Sequence, residues 1–88
     1  MNRFIVEFLG TLFFVFIILA VGNPLAIGSA LAIVIILGGN ISGGHFNPAV
    51  SIALAYMGKL NKNDLMPYIL SQIAGAMVAV EVNKRIKV

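Results

Sequence analysis

The chain has 88 residues, of which 60% are hydrophobic and only 10% are charged, and its mean hydropathy is +1.03. A soluble domain of this size cannot bury so much apolar surface, whereas a lipid bilayer covers it. The sequence has no cysteine, one histidine and three acidic residues, which excludes a disulfide framework and a rich metal site formed by this chain alone. The net charge of +3 comes from basic residues at the two ends and in one loop, which suits lipid headgroups and is not a nucleic-acid signal.

Three apolar runs predict an all-α membrane protein with three transmembrane helices, at about residues 4–22, 25–39 and 65–82. The second run is short for a span, and its extension through residues 38–42 is left open for the case that these residues are shielded. We expect Asn63 or Asp64 to cap the last of these helices. The first run also resembles a secretory signal peptide, because Arg3 precedes an apolar stretch. Glu7 lies inside that stretch and two further apolar runs follow it, so we favour a membrane span.

A polar, glycine-rich segment separates the second and third spans, and we predict a re-entrant loop and half-helix over residues 40–57. Irregular backbone at membrane depth persists only where protein buries it or water fills a cavity. Asn47 and Pro48 have the chemistry of a helix start, since Asn caps the first turn and Pro fits the first helical position. A helix over 48–57 is too short to cross a bilayer, so it must enter and leave on one side. The segment therefore predicts a pore lining or a binding site, the alternative being an ordinary helix cap in a sealed fold.

Polar residues inside the predicted spans are candidates for holding that loop in place. Glu7 is an ionisable group within a span, and Thr11 follows one turn later on the same helix face. The alternative places Glu7 at headgroup level beside Arg3. Gln72 is expected to hydrogen-bond the loop or a neighbouring helix. Two ridges of small residues are expected to let helices pack closely: Ser71, Gly75 and Ala79, and Gly28 with Ala32.

Three motifs occur in one order along the chain. They are Glu-Phe-Leu-Gly-Thr at 7–11, Ser-Gly-Gly-His-Phe-Asn-Pro-Ala-Val at 42–50, and Tyr-Ile-Leu-Ser-Gln at 68–72 with Gly-Ala at 75–76. With these motifs the chain resembles the first half of a protein of the aquaporin, or major intrinsic protein, family, and the resemblance covers nearly the whole sequence. It implies six spans and two half-helices built from two inverted repeats. This chain shows one such repeat over residues 1–88, with three spans and one Asn-Pro-Ala.

The resemblance also implies roles for single residues. Asn47, Pro48 and Ala49 match the tip of the family's half-helix, where the Asn side chain holds a passing solute. Glu7 matches a glutamate that accepts hydrogen bonds from the re-entrant loop, including its histidine, and we group Thr11 and Gln72 with it as loop-bracing residues. In the family, the carbonyl groups of one loop segment face permeating molecules. The residues that match this segment are Gly43, Gly44, His45 and Phe46. A plain tight turn is the alternative for these glycines.

Two further positions match the family's narrow filter. Ile27 stands where the second span usually supplies an aromatic residue, and Val50 stands where the second repeat carries an arginine. A pore made only from copies of this chain lacks both groups. It is therefore expected to be wider and less polar than a strict water filter.

The basic residues do not define an orientation in the membrane. Arg3, Lys59 and Lys62 fall on one side of the predicted topology, and the segment that contains Lys84, Arg85 and Lys87 falls on the other. This balance is what a protein inserted in both orientations needs.

The sequence and the resemblance predict a function and leave alternatives open. We predict an integral, multi-pass membrane protein that forms a passive channel for water or small neutral solutes such as glycerol, assembled as a homo-oligomer of two antiparallel copies in membrane lipid. The alternatives are a non-conducting membrane module that pairs with a full-length aquaporin and modifies it, and a channel fragment with no separate function. In the channel itself, a different partner half-channel is the alternative to a second copy of this chain. No cofactor, metal or nucleic-acid partner is expected. An enzyme is disfavoured because the sequence offers no nucleophile–base pair, metal cluster or phosphate-binding loop.

Overall fold

The computed structural model describes residues 1–86, which form four α-helices and contain no strand. The helices are α1 (Arg3–Ala20), α2 (Pro24–Ser42), α3 (Pro48–Tyr56) and α4 (Lys62–Arg85). The predicted all-α architecture, with three long apolar helices and one short one, is confirmed. Lys87, which the charge argument included, lies outside the described residues.

Each of the four helices begins after an asparagine whose side-chain oxygen accepts backbone N–H groups of the first turn. These N-caps are Asn2, Asn23, Asn47 and Asn61. α2 and α3 also carry proline in their first turn. The helix starts are therefore encoded locally, by cap and proline chemistry.

Two helix boundaries differ from the sequence prediction. α2 continues past residue 39 to Ser42, which is the extension left open for shielded residues. Gly38 packs closely against Val6, and the helix stops only at Gly43, which has a φ of 89°. α4 begins at Lys62, so the expectation that Asn63 or Asp64 caps it is wrong. Asn61 is the cap instead, since its Oδ1 accepts the N–H of Asn63 at 2.8 Å.

α1 and α4 lie side by side and run in the same direction. Their starts are joined by the ion pair between Arg3 and Asp64 at 3.1 Å. Further along, Gly75 is pressed against the α1 backbone, where a Cβ atom at this position would lie 2.4 Å from the carbonyl oxygen of Phe8. The ridge of Gly75 and Ala79 thus packs against a helix, as expected. The ridge at Gly28 does not, since within residues 1–86 no atom of another helix lies within 4 Å of a Cβ built there.

Polar side chains share the interior of this arrangement with apolar ones, whereas large apolar side chains are exposed on its outside. Glu7, Ser51 and Gln72 are completely buried, whereas Leu25 and Ile36 are 79% and 75% exposed. α1, α2 and α4 are each long and apolar enough to cross a membrane. Such an inverted distribution is stable when hydrocarbon, rather than water, surrounds the helices.

Candidate functional site

The loop between α2 and α3, residues 43–47, reverses the chain through three residues with positive φ. Gly43 and Gly44 have φ values of 89° and 69°, which glycine adopts without steric cost. Phe46 has a φ of 54°, which a residue with a Cβ rarely adopts. Its ring is buried against Gly10, at a distance that leaves no room for a Cβ on that glycine. The packing of this ring holds the loop in a conformation that Phe46 alone disfavours.

Glu7 on α1 is the acceptor on which the loop converges. Its Oε2 accepts the Ser42 hydroxyl at 2.7 Å and the backbone N–H of His45 at 3.1 Å. Its Oε1 accepts the backbone N–H of Phe46 at 2.7 Å and the Gln72 amide at 2.8 Å. Two backbone groups that a tight loop leaves without helical partners are thereby satisfied by one buried side chain. The contact to His45 is made through its backbone and not through its ring.

A second set of hydrogen bonds joins the loop to α3 and α4. Ser51 on α3 lies 2.7 Å from His45 Nδ1 and accepts the Gln72 amide at 2.8 Å. Tyr68 on α4 donates its hydroxyl to the carbonyl oxygen of Ser42 at 2.7 Å. The Tyr68 ring also lies 5.0 Å, centroid to centroid, from the His45 ring. Ser42, Ser51 and Tyr68 thus belong to the network, although the sequence reasoning gave them no role.

Local sequence signals for two of these residues did exist. Tyr68 precedes Gln72 by four positions, which places both on one face of α4. Ser51 is a polar residue in the otherwise apolar run of α3. What the sequence does not contain is the identity of their partners, which come from distant parts of the chain.

Thr11 does not take part in the network in the manner expected. It is buried, but its Oγ1 has no hydrogen-bond partner among residues 1–86. Gln72 uses its amide nitrogen twice, and its Oε1 likewise has no partner in this part of the chain. Within residues 1–86, no hydrogen bond from Thr11 therefore supports the loop-bracing role predicted for it.

The tip of the short helix is exposed. Asn47 caps α3 by accepting the Ala49 N–H at 2.8 Å, and within residues 1–86 its Nδ2 makes no hydrogen bond. Pro48 occupies the first helical position. The N–H groups of the first turn of α3, and its partial positive charge, thus point toward the Asn47 side chain.

The loop that leads to this tip offers acceptors. In the described part of the chain, no donor reaches the carbonyl oxygens of residues 43–46. Donors at the tip and acceptors in the loop are together the groups that bind water and alcohols. No cluster of three His, Cys, Asp or Glu side chains occurs in residues 1–86 that could hold a metal ion.

The two filter positions are not brought together. Val50, in the first turn of α3, is 39% exposed, and Ile27, near the start of α2, is half-buried. Within residues 1–86, α2 and α3 do not pack on each other. These two side chains therefore do not form a constriction within one chain.

Comparison with known proteins identifies the family to which this arrangement belongs. The family model described as "Major intrinsic protein" matches residues 1–88. The chain belongs to the major intrinsic protein family. Together with three helices long enough to span a bilayer, this makes it an integral, multi-pass membrane protein.

Several members of the major intrinsic protein family are similar to the chain along most of its length. A protein named "Glycerol uptake facilitator protein-like 6" from Lactiplantibacillus plantarum is 42% identical over 90% of the chain and 41% of its own length. Aquaporin-8 from Notomys alexis is 42% identical over 91% of the chain and 35% of its own length. Aquaporin Z from Brucella melitensis is 39% identical over 90% of the chain and 41% of its own length. The chain thus spans about two fifths of the length of these relatives.

Proposed function

We propose that this chain forms one half of a passive membrane channel for water and small neutral solutes such as glycerol. The observation that carries the proposal is the exposed tip at Asn47, where an unengaged amide nitrogen stands at the N-terminus of a short helix. In this arrangement α1, α2 and α4 cross the bilayer, and residues 43–56 enter and leave it on one side. The printed names of the relatives, which include an aquaglyceroporin from Rhizobium meliloti, support the choice of solutes.

The tip binds a solute oxygen without any chemical step. The Asn47 Nδ2 donates to that oxygen, and the N-terminal end of α3 adds a partial positive charge that disfavours cations and protons. The carbonyl groups of residues 43–46 accept hydrogen bonds from the same molecule as it moves along the loop. Binding at several weak positions permits the solute to leave as readily as it enters.

One half-helix lines only part of such a pathway. α3 has nine residues and is about 14 Å long, roughly half of the hydrocarbon thickness of a bilayer. We therefore propose that a second half faces the first in the opposite orientation, supplied by another copy of this chain in a homo-oligomer. Ile27 and Val50 then leave the pathway apolar, which favours small uncharged solutes together with water.

The test is an osmotic assay on vesicles that contain only residues 1–88. We expect faster volume changes than in empty lipid vesicles. External sucrose shrinks the vesicles as water leaves, which measures water flux, and external glycerol lets them swell again as it enters, which measures solute flux. Asn47→Asp keeps the cap of α3 but replaces the amide donor with a charged acceptor, so water flux is expected to fall several-fold and cation leakage to rise. Asn61→Asp is the matched control, since it alters the cap of α4 outside the site and is expected to leave the flux unchanged.

Crosslinking separates the possible assemblies. Single cysteines beside Asn47, at Ala49 or Val50, are expected to crosslink only between copies of opposite orientation. Vesicles no leakier than empty lipid, with crosslinks between parallel copies only, contradict the antiparallel channel. A chain that conducts nothing alone, but changes the flux through a full-length aquaporin reconstituted with it, supports the alternative of a non-conducting module.

A further inference from the structure

The imidazole ring of His45 lies beside the loop carbonyl groups but has no part in the pathway proposed above. Its Nδ1 is 2.7 Å from the hydroxyl oxygen of Ser51. Its Nε2 is at the opposite edge of the ring, where a Cβ built on the exposed Gly43 would lie 3.1 Å from it. Within residues 1–86, Nε2 makes no hydrogen bond, and it is not enclosed by the chain. Because a neutral imidazole carries one proton, the direction of the bond to Ser51 decides whether Nε2 donates or accepts.

Glu7 determines which way the side-chain amide of Gln72 is turned. Glu7 Oε1 already accepts the backbone N–H of Phe46 at 2.7 Å, and the amide nitrogen of Gln72 lies 2.8 Å from the same oxygen. The reverse orientation would place a carbonyl oxygen against a carboxylate oxygen and leave two buried N–H groups unpaired. In the observed orientation only Gln72 Oε1 lacks a partner among residues 1–86. The amide nitrogen therefore donates both to Glu7 and to Ser51.

Ser51 transmits this direction to His45. The Ser51 hydroxyl oxygen accepts the Gln72 amide at 2.8 Å, so its own single proton remains to be donated. In the described part of the chain, its other hydrogen-bond partner is His45 Nδ1. A protonated Nδ1 would bring two donors to the hydroxyl and leave the hydroxyl proton without an acceptor. Ser51 therefore donates to Nδ1, and the proton of the ring is on Nε2.

We propose that Ser51 positions His45 in its Nε2–H form, and that this N–H is a second hydrogen-bond donor for the solute, beside Gly43. The ligand, water or a small alcohol, rests on the channel function proposed above. A hydroxyl group both donates and accepts, so it can bond Nε2–H and a neighbouring loop carbonyl group at once. With Asn47 at the tip, the solute then meets donors at two places along the loop.

Nitrogen NMR of the ring tests the proposal, because His45 is the only histidine in the chain. Bare and protonated ring nitrogens give well-separated signals. The full chain is labelled with ¹⁵N-histidine, reconstituted in vesicles and measured at about pH 8.5, where a free histidine ring is neutral. We expect a protonated Nε2 and a bare Nδ1 that accepts a hydrogen bond. A protonated Nδ1 overturns the proposal.

Gln72→Glu is expected to move the proton to Nδ1, since a carboxyl group has no second N–H to give to Ser51. Whether it is charged or shares a proton with Glu7, the new group accepts the Ser51 hydroxyl, which then accepts Nδ1–H. Asn63→Asp makes the same change from amide to acid at an exposed position of α4, and it is expected to leave the proton on Nε2. A ring that keeps Nε2–H in Gln72→Glu shows that Ser51 does not set the tautomer, and overturns the proposal.

The same spectra measure contact with the solute. The Nε2 proton is expected to exchange magnetisation with water, and added glycerol is expected to shift the Nε2 signal. The Nδ1 signal is the internal control and is expected to stay in place, because this nitrogen faces Ser51. An Nε2 signal that responds to neither water nor glycerol overturns the role in solute binding. The spectra report the ring and not the flux, so a chain that conducts nothing but gives the expected signals contradicts only the proposed channel.

Discussion

Glu7 provides hydrogen-bond acceptors for a loop that has few other ways to satisfy its backbone. Its two oxygens receive four donors, two of which are the N–H groups of His45 and Phe46. The side chain is completely buried, so water cannot replace any of these contacts. A buried charged acceptor with all its positions filled stabilises the loop, whereas a missing acceptor leaves donors unpaired at the full cost of desolvation.

Glu7→Gln is expected to lower the free energy of unfolding by about 2–3 kcal/mol. Either orientation of the new amide directs its NH₂ group at a backbone N–H of the loop, because His45 approaches one oxygen and Phe46 the other. Unfolding in mixed detergent micelles measures the change. Glu81→Gln is the matched control, since that side chain is 52% exposed in its ion pairs and the substitution is expected to change stability by less than about 0.5 kcal/mol. Equal stabilities of the two variants contradict the bracing role of Glu7.

The contact between α1 and α4 depends on one residue without a side chain. A Cβ at Gly75 meets backbone atoms of Phe8 and Leu12 at 2.4 and 3.1 Å, and backbone cannot move aside as a flexible side chain does. The short separation also keeps Gln72 within reach of Glu7. In lipid, where apolar burial does not drive helices together, such close backbone approach provides much of the attraction.

Gly75→Ala is expected to destabilise the protein by about 1–3 kcal/mol, because the added methyl group forces the two helices apart. Gly28→Ala makes the same chemical change in α2, where the new atom meets no other helix of residues 1–86 within 4 Å. It is expected to be neutral or to stabilise the helix by up to about 1 kcal/mol. Unfolding of the two variants side by side provides the measurement. Loss of stability at Gly28 equal to that at Gly75 shows that helix packing is not the cause.

The order and type of the helices were predictable because their signals are local. Apolar runs mark the three long helices, and Asn47 followed by Pro48 marks the start of α3. The end of α2 at Ser42 was predictable only as an open alternative, since Gly38 weakens a helix locally but allows the contact with Val6. Tertiary packing therefore decides that boundary.

The candidate site was predictable only in its central residues. The motif and an acidic residue inside a span indicated Asn47 and Glu7, and their functional roles remain predictions. Ser51 and Tyr68 were not predicted, because each depends on a partner that is distant in the sequence. Ser51 bonds Gln72, 21 positions away, and Tyr68 bonds Ser42, 26 positions away. Periodicity and composition along a helix do not encode which distant polar group a side chain meets.

At the scale of the whole molecule, the parallel pairing of α1 and α4 fixes which ends share a membrane face. The ion pair of Arg3 with Asp64 places the start of α1 beside the start of α4. The turn that contains Lys59 directly precedes α4 and therefore lies at the same end. Val21 follows α1 and lies at the other end, about 27 Å away along the helix. This relation holds for each chain whatever its orientation in the bilayer.

The number of accessible cysteines per chain tests this topology even when both orientations are present. The chain has no native cysteine, so Asn2→Cys with Lys59→Cys, and Val21→Cys with Lys59→Cys, are clean double variants. In sealed vesicles a membrane-impermeant maleimide is expected to label chains of the first variant twice or not at all, because both positions share a face. Chains of the second variant are expected to carry one label each, since one position is always outside. Mass spectrometry counts the labels, and dissolving the vesicles in detergent is expected to give two labels in both variants. If residues 48–56 crossed the bilayer instead of re-entering, position 59 would stand opposite position 2, and the first variant would carry a single label.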